Sequence, residues 1–171
     1  MMTDNKFALL AALSGVLAAL VFVATFIIQI PVPATGGYIN FGDIMIFVSA
    51  LMFGPVVGGI AGGVGSSLSD VASGYASTYA PFTLIIKGVE GAIAGAISNR
   101  NSKWRDALAA FIAGVEMITG YFFAEFYPLH LGVAAFTEVP GNIAQIVVGG
   151  LIGVPMAIVL RKRLPEEWRK I

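Results

Sequence analysis

The chain has no cysteine and a single histidine. The first absence excludes disulfides, thiolate metal sites and cysteine nucleophiles. The second argues against a multi-histidine metal or redox centre. Charge is scarce as well: Asp, Glu, Lys and Arg make up 12% of 171 residues, ten acids against ten bases. Soluble domains carry about 25%. No G-x-x-x-x-G-K-[ST] phosphate loop occurs, so any ATP used on this protein's behalf must be hydrolysed by another subunit. What is abundant is apolar and small. Hydrophobic residues reach 57%, glycines number 21 and the mean hydropathy is +0.86. This composition excludes a soluble domain, a disordered chain and a nucleic-acid binder. It leaves an all-α membrane protein whose helices pack closely through small residues.

At about 20 residues per span the length suits one compact bundle. The sequence predicts six transmembrane helices in a single domain, with spans at about 7–28, 40–53, 55–73, 82–98, 106–127 and 135–160. The proline- and glycine-bearing stretch 29–39 (QIPVPATGGYI) reads as a loop, and Gly54-Pro55 as a tight turn. The second and third spans are short for a bilayer. Pro155 falls inside the sixth and should kink it.

The bases fall on one side of this six-span arrangement. Lys6 precedes the first span, Arg100, Lys103 and Arg105 lie between the fourth and fifth, and Arg161, Lys162, Arg163, Arg169 and Lys170 follow the sixth. The positive-inside rule then makes both termini cytoplasmic, in a multi-pass protein of the cell membrane. The acids behave differently. Asp43, Asp70, Glu90, Glu116, Glu125 and Glu138 lie in spans or near their outer ends, with Lys87 the one base among them. Ionisable groups at membrane depth are costly, so each is a functional candidate.

Helix geometry tests whether they converge. Lys87 and Glu90 are i,i+3 neighbours roughly 9 Å and 13 Å below the outer end of their span. Glu138, Asn142 and Gln145 form one stripe. Glu116 shares a face with Thr119, Gly120, Phe123 and Tyr127, while Glu125 points about 180° away. Three helices thus offer polar groups in the outer half of the bilayer, a pattern that suits an outward-opening pocket. Plainer readings stand beside this one. Lys87 and Glu90 neutralise each other. Asp43, at a helix start, caps free N–H groups. Asp70, at a helix end, is either structural or part of the site. Tyr75 and Tyr79 are belt residues or a lid, and His130 is solvated. Ala8, Ala12, Gly15 and Ala19 form a small-residue stripe on the first span, able to seat another helix.

Taken together, these features resemble the substrate-binding S component of an energy-coupling factor (ECF) vitamin transporter. They are the six short spans, the Ala8/Ala12 stripe, Asn40-Phe41-Gly42-Asp43, Gly54-Pro55 and the glycine-rich run to Ser69-Asp70, then Ile86-Lys87-Gly88 through Gly91 and Gly95. Their order and spacing are similar to the riboflavin-type branch. The resemblance implies no enzyme activity and no cofactor or metal of its own. It implies a transmembrane coupling protein docked on Ala8 and Ala12, with two cytoplasmic ATPase subunits. It also implies a vitamin bound near the outer face, under the loop joining spans one and two. Site candidates are Lys87, Glu90, Asn142, Gln145, Glu138, Glu116, Asp70, Tyr75 and Tyr79. The acid excess disfavours polyanions such as folate and ranks riboflavin first, then a pyrimidine- or pyridoxine-type precursor, then thiamine. Two other classes compete: a proton-coupled secondary transporter working through Glu116, and an intramembrane enzyme. The second lacks any G-x-S-x-G or H-E-x-x-H signature.

Overall fold

The structure is a computed structural model that describes residues 2–99 and 102–164, with side chains from Phe7 onward. Six α-helices form one bundle: α1 Met2–Ile27, α2 Gly42–Phe53, α3 Pro55–Ala72, α4 Ala80–Ile97, α5 Lys103–Phe126 and α6 Val139–Arg163. A 3-10 turn at Gly132–Thr137 leads into α6, so this helix begins later than the predicted span. It continues through Pro155 as one helix.

The stretch predicted as a loop after α1 is a β-hairpin. Strands β1 (Gln29–Val32) and β2 (Gly37–Asn40) pair antiparallel, Gln29 opposite Asn40 and Val32 opposite Gly37. Pro31 is compatible with a two-stranded ribbon because both strands are edges. Gly36 supplies the positive φ of 69° that the turn needs. So small a ribbon is marginal alone, and its side chains tie it to the bundle. Gln29 donates to Ser73 (2.8 Å), and the Asn40 backbone N–H donates to Gln145 (2.8 Å).

Four segments are long and apolar enough to cross a membrane: Phe7–Ile27, Ala80–Ile97, Lys103–Phe126 and Gly132–Arg163. Helix α2 has 12 residues, about 18 Å of rise, well short of a hydrocarbon core of about 30 Å. It lies inside the bundle instead, packed on α1, α3, α4 and α6. Ten of its residues are buried, including Phe47 and Leu51. Large apolar side chains such as Val16, Phe111 and Leu151 face outward, as lipid contact requires.

Glycine lets the helices meet backbone to backbone. A Cβ on Gly62 would stand 2.5 Å from the Lys87 carbonyl oxygen, and one on Gly63 would stand 2.6 Å from that of Leu84. Gly58 and Gly91 oppose each other across the same α3–α4 seam. On α6, Gly149 and Gly153 give the same clearance to Asp43, Ile44 and Phe47 of α2. At the end of the bundle away from the hairpin, Asp106 fastens three helices. It accepts from Ser98 on one oxygen (2.6 Å) and from Arg161 on the other (2.7 Å).

Candidate functional site

The hairpin, the loop before α4 and the N-terminus of α6 meet at one end of the bundle, over a cavity of about 30 Å³. Its wall gathers Thr25 from α1, Gly37, Tyr38 and Asn40 from the hairpin region, Ser66 and Asp70 from α3, Tyr79, Thr83 and Lys87 from the start of α4, Tyr121 from α5, and Glu138, Asn142 and Gln145 from α6.

Lys87 forms the floor. It is buried and ion-paired twice, to Asp43 and to Glu90 (3.0 Å). Its ammonium also lies 5.8 Å from the centre of the Tyr121 ring, within cation–π range. Asp43 is therefore not a helix cap, as its position in the sequence suggested. The first N–H of α2, that of Gly42, donates to the Asn40 side chain (2.8 Å), and the Asp43 carboxylate takes Lys87 on one oxygen and Gln145 (2.5 Å) on the other. A buried lysine is worth more as a partner than four N–H groups already near a helix end, because removing either member leaves an uncompensated charge.

Above the floor, several polar atoms are left open. Thr25 Oγ1, Ser66 Oγ and Asp70 Oδ2 are buried and have no hydrogen-bond partner. Asn142 is 5% exposed, and its amide takes part in none of the side-chain hydrogen bonds among the described residues. The other Asp70 oxygen accepts from Tyr38 (2.6 Å). Burial, then the Asp70 charge, pushes the Tyr38 phenol well above its ordinary range, so it stays a donor. Burial and the charges of Glu138 and Glu125 do the same to Tyr79. Its hydroxyl donates to the Thr35 carbonyl (3.1 Å).

Of the nine sequence-predicted site residues, Asp70, Tyr79, Lys87, Glu138, Asn142 and Gln145 line this cavity. Glu90 lies below it, behind Lys87. Tyr75 stands outside, its ring 5.3 Å from Tyr38 and 6.1 Å from Tyr79. Glu116 does not reach the cavity. Glu116 is half-buried with one carboxyl oxygen enclosed, and Gly120 on its face meets Ile86 of α4, while Thr119, Phe123 and Tyr127 beside it are exposed toward lipid. Glu125, on the opposite face, is fully buried beside Glu138. The sequence reading missed Thr25, Tyr38, Ser66, Thr83 and Tyr121 as wall residues. A hydroxyl near the outer end of an apolar span, as at Thr25, was the available signal. Ala8, Ala12, Gly15 and Ala19 are all exposed on α1, and a Cβ added at Gly15 would meet nothing within 4 Å.

The family model for the S component of ECF-type riboflavin transporters matches residues 8–162. The chain belongs to that family. It is thus a transporter component and not an enzyme. A protein of Pyrococcus woesei described as "Uncharacterized protein in gap 3'region" is 46% identical over 145 residues, which is 84% of this chain and 96% of that one. Among solved structures, the crystal structure of FolT bound with folic acid superposes with a TM-score of 0.61 at 24% identity, over 91% of this chain and 92% of that one. At this identity the likeness establishes the helical fold.

Proposed function

We propose that this S component captures a small, uncharged or cationic heterocyclic vitamin, riboflavin first, in the cavity beneath the hairpin. A pyrimidine- or pyridoxine-type precursor and thiamine follow in that order. One observation carries the reading. The cavity wall holds open hydrogen-bonding groups at Thr25, Ser66 and Asp70 and the Asn142 amide, while the one cation lining it among the described residues, Lys87, is already held by two carboxylates. Hydroxyls and imide-like edges find partners on such a wall. An anion meets no free positive charge and faces Asp70 and Glu138. This argues against folic acid, the ligand of the FolT structure, whose carboxylates would need cations. A ring system needs a pocket of several hundred Å³, so the hairpin must lift for entry and settle around the ligand.

The one-sided basic residues support an orientation with both termini in the cytoplasm and the cavity at the outer face of the cell membrane. Transport would then depend on a transmembrane coupling protein seated on the exposed Ala8/Ala12 stripe and on two ATPase subunits, which supply the ATP chemistry. Mass spectrometry of small molecules that co-purify with the protein tests the ligand class. The account expects a neutral or cationic heterocycle, and a stoichiometric polyanion would refute it. For orientation, a cysteine at Ser77 should react with an impermeant thiol reagent from outside. One at Ser102 should react only after the membrane is opened.

A further inference from the structure

Helices α5 and α6 are tied at two levels. Gly114 packs so closely on the Ile146 side chain that a Cβ there would overlap it. Nearer the end away from the hairpin, Arg161 donates to Asp106 (2.7 Å). Between these ties the helices part. Ala107 and Ala110 on α5 and Gly150 on α6 are too small to close the gap, and a Cβ added at Gly150 would meet nothing within 4 Å. The result is a groove of about 390 Å³, lined by apolar residues alone, with Phe111, Leu151 and Pro155 at its edges. These three are exposed, so the groove opens sideways into the hydrocarbon. From Gly150 to Arg161 the helix rises about 16 Å. That is the depth of one leaflet of a hydrocarbon core of about 30 Å.

The groove ends on positive charge. Along α6 the face of Gly150 and Val154 runs down to Arg161, with Lys162 beside it. Along α5 the face of Ala107 and Ala110 runs back to Lys103. Lys103 and Lys162 are exposed. Arg161 is 8% exposed, and its Nε–H has no acceptor. Asp106 is the one acid on these described helix ends, and its two oxygens are already taken by Ser98 and Arg161. Trp104, one residue from Lys103, is 87% exposed, as an aromatic at a membrane–water interface is. An apolar groove one leaflet deep with a basic mouth fits an acyl chain that carries an anionic head. We propose that this groove binds an anionic phospholipid, its chain along Ala110 and Gly150 and its phosphate at Arg161, Lys103 and Lys162. The chain fills the gap between the two ties, and the phosphate supplies the acceptor that Arg161 Nε lacks. The site lies at the opposite end of the bundle from the hairpin and is independent of which vitamin the cavity takes.

Native mass spectrometry tests this on the purified protein, released from micelles that hold equal amounts of phosphatidylglycerol and phosphatidylcholine with the same chains. The wild type should retain phosphatidylglycerol about tenfold or more over phosphatidylcholine. Lys103→Glu combined with Lys162→Glu should bring that ratio to about one. Gly150→Phe fills the groove and should lose both lipids while the basic mouth stays intact. Ala107→Phe fills it from α5, which keeps the test decisive if Gly150→Phe does not fold. Glycerol phosphate, which has the anion and no chain, should leave the lipid adduct in place. Equal retention of the two lipids by the wild type overturns the proposal. So does phosphatidylglycerol held undiminished in the groove variants, its displacement by glycerol phosphate, or dimers of the chain in place of lipid adducts.

Discussion

The two ends of the bundle are built on opposite principles. At the hairpin end, buried polar groups outnumber their partners: Thr25, Ser66, Asp70 and Glu125 all present unpaired oxygens. At the far end, one acid, Asp106, is matched on both oxygens by Ser98 and Arg161, with Arg161 Nε left unpaired, around a core of Leu17, Leu51, Ala109, Ala113 and Ala157. Unpaired buried polar atoms cost about 1–3 kcal/mol each. A bundle selected for stability alone would not gather so many of them beneath the hairpin. The contrast separates a half that holds the fold from a half that waits for a ligand. The α3–α4 glycine seam runs between them and transmits neither role; it sets how close the two helices stand.

Four substitutions probe that contrast, in falling order of effect. Gly62→Leu should be the most damaging. Its side chain has to displace the α4 backbone at Lys87, and because backbone cannot give way as a side chain can, the cost exceeds the usual overpacking range of about 1–3 kcal/mol and should keep the bundle from assembling. Loss of monodisperse, ligand-responsive protein in a detergent thermal melt checks it. Lys87→Ala strands Asp43 and Glu90 in the interior, which should cost about 3–5 kcal/mol and take binding with it. A melting temperature near wild type would show that the triad is not the floor of the site. Asn142→Ala removes an amide that bonds to no side chain in the empty site, so stability should barely move. Vitamin affinity should fall by about 1–3 kcal/mol. This pairing of a stable protein with weak binding is what distinguishes a ligand contact from a structural one.

The smallest effect on affinity belongs to Ala8 and Ala12. Both are exposed, and lipid accepts leucine as readily as alanine. Replacing both by Leu should therefore leave the affinity of the isolated protein within a few-fold. Reconstituted uptake with a coupling module should nevertheless fall steeply, since helix docking in membranes depends on close packing. Affinity collapsing with uptake would mean the stripe packs inside this chain.

Much of the helical scaffold follows from runs of apolar residues and the turns at Gly54 and Pro81. The α6 stripe follows from spacing alone: Asn142 and Gln145 are three apart and share a face, and both line the cavity. Three features were beyond that reach. The hairpin depends on strand pairing across a turn in a segment whose prolines and glycines signal only a break. Asp43 meets Lys87 across 44 residues, a contact no local pattern encodes. On α5, the nine-residue spacing puts Glu116 and Glu125 on opposite faces. Which face is inside was not decidable, because that helix is apolar on the lipid side and on the core side alike. Bulky Phe123 and Tyr127 beside Glu116 mark the lipid face only after the neighbours of α5 are known.

The central claim is that the open polar groups under the hairpin receive an uncharged or cationic heterocycle. The most direct measurement is a side-by-side titration of purified wild type and Asn142→Ala with riboflavin and with folic acid, followed by quenching of ligand fluorescence. The account predicts saturable quenching of riboflavin by the wild type, binding weakened roughly tenfold or more in the variant, and no comparable response to folic acid. Tight folic acid binding by the wild type, or riboflavin binding unchanged by the loss of Asn142, would contradict it.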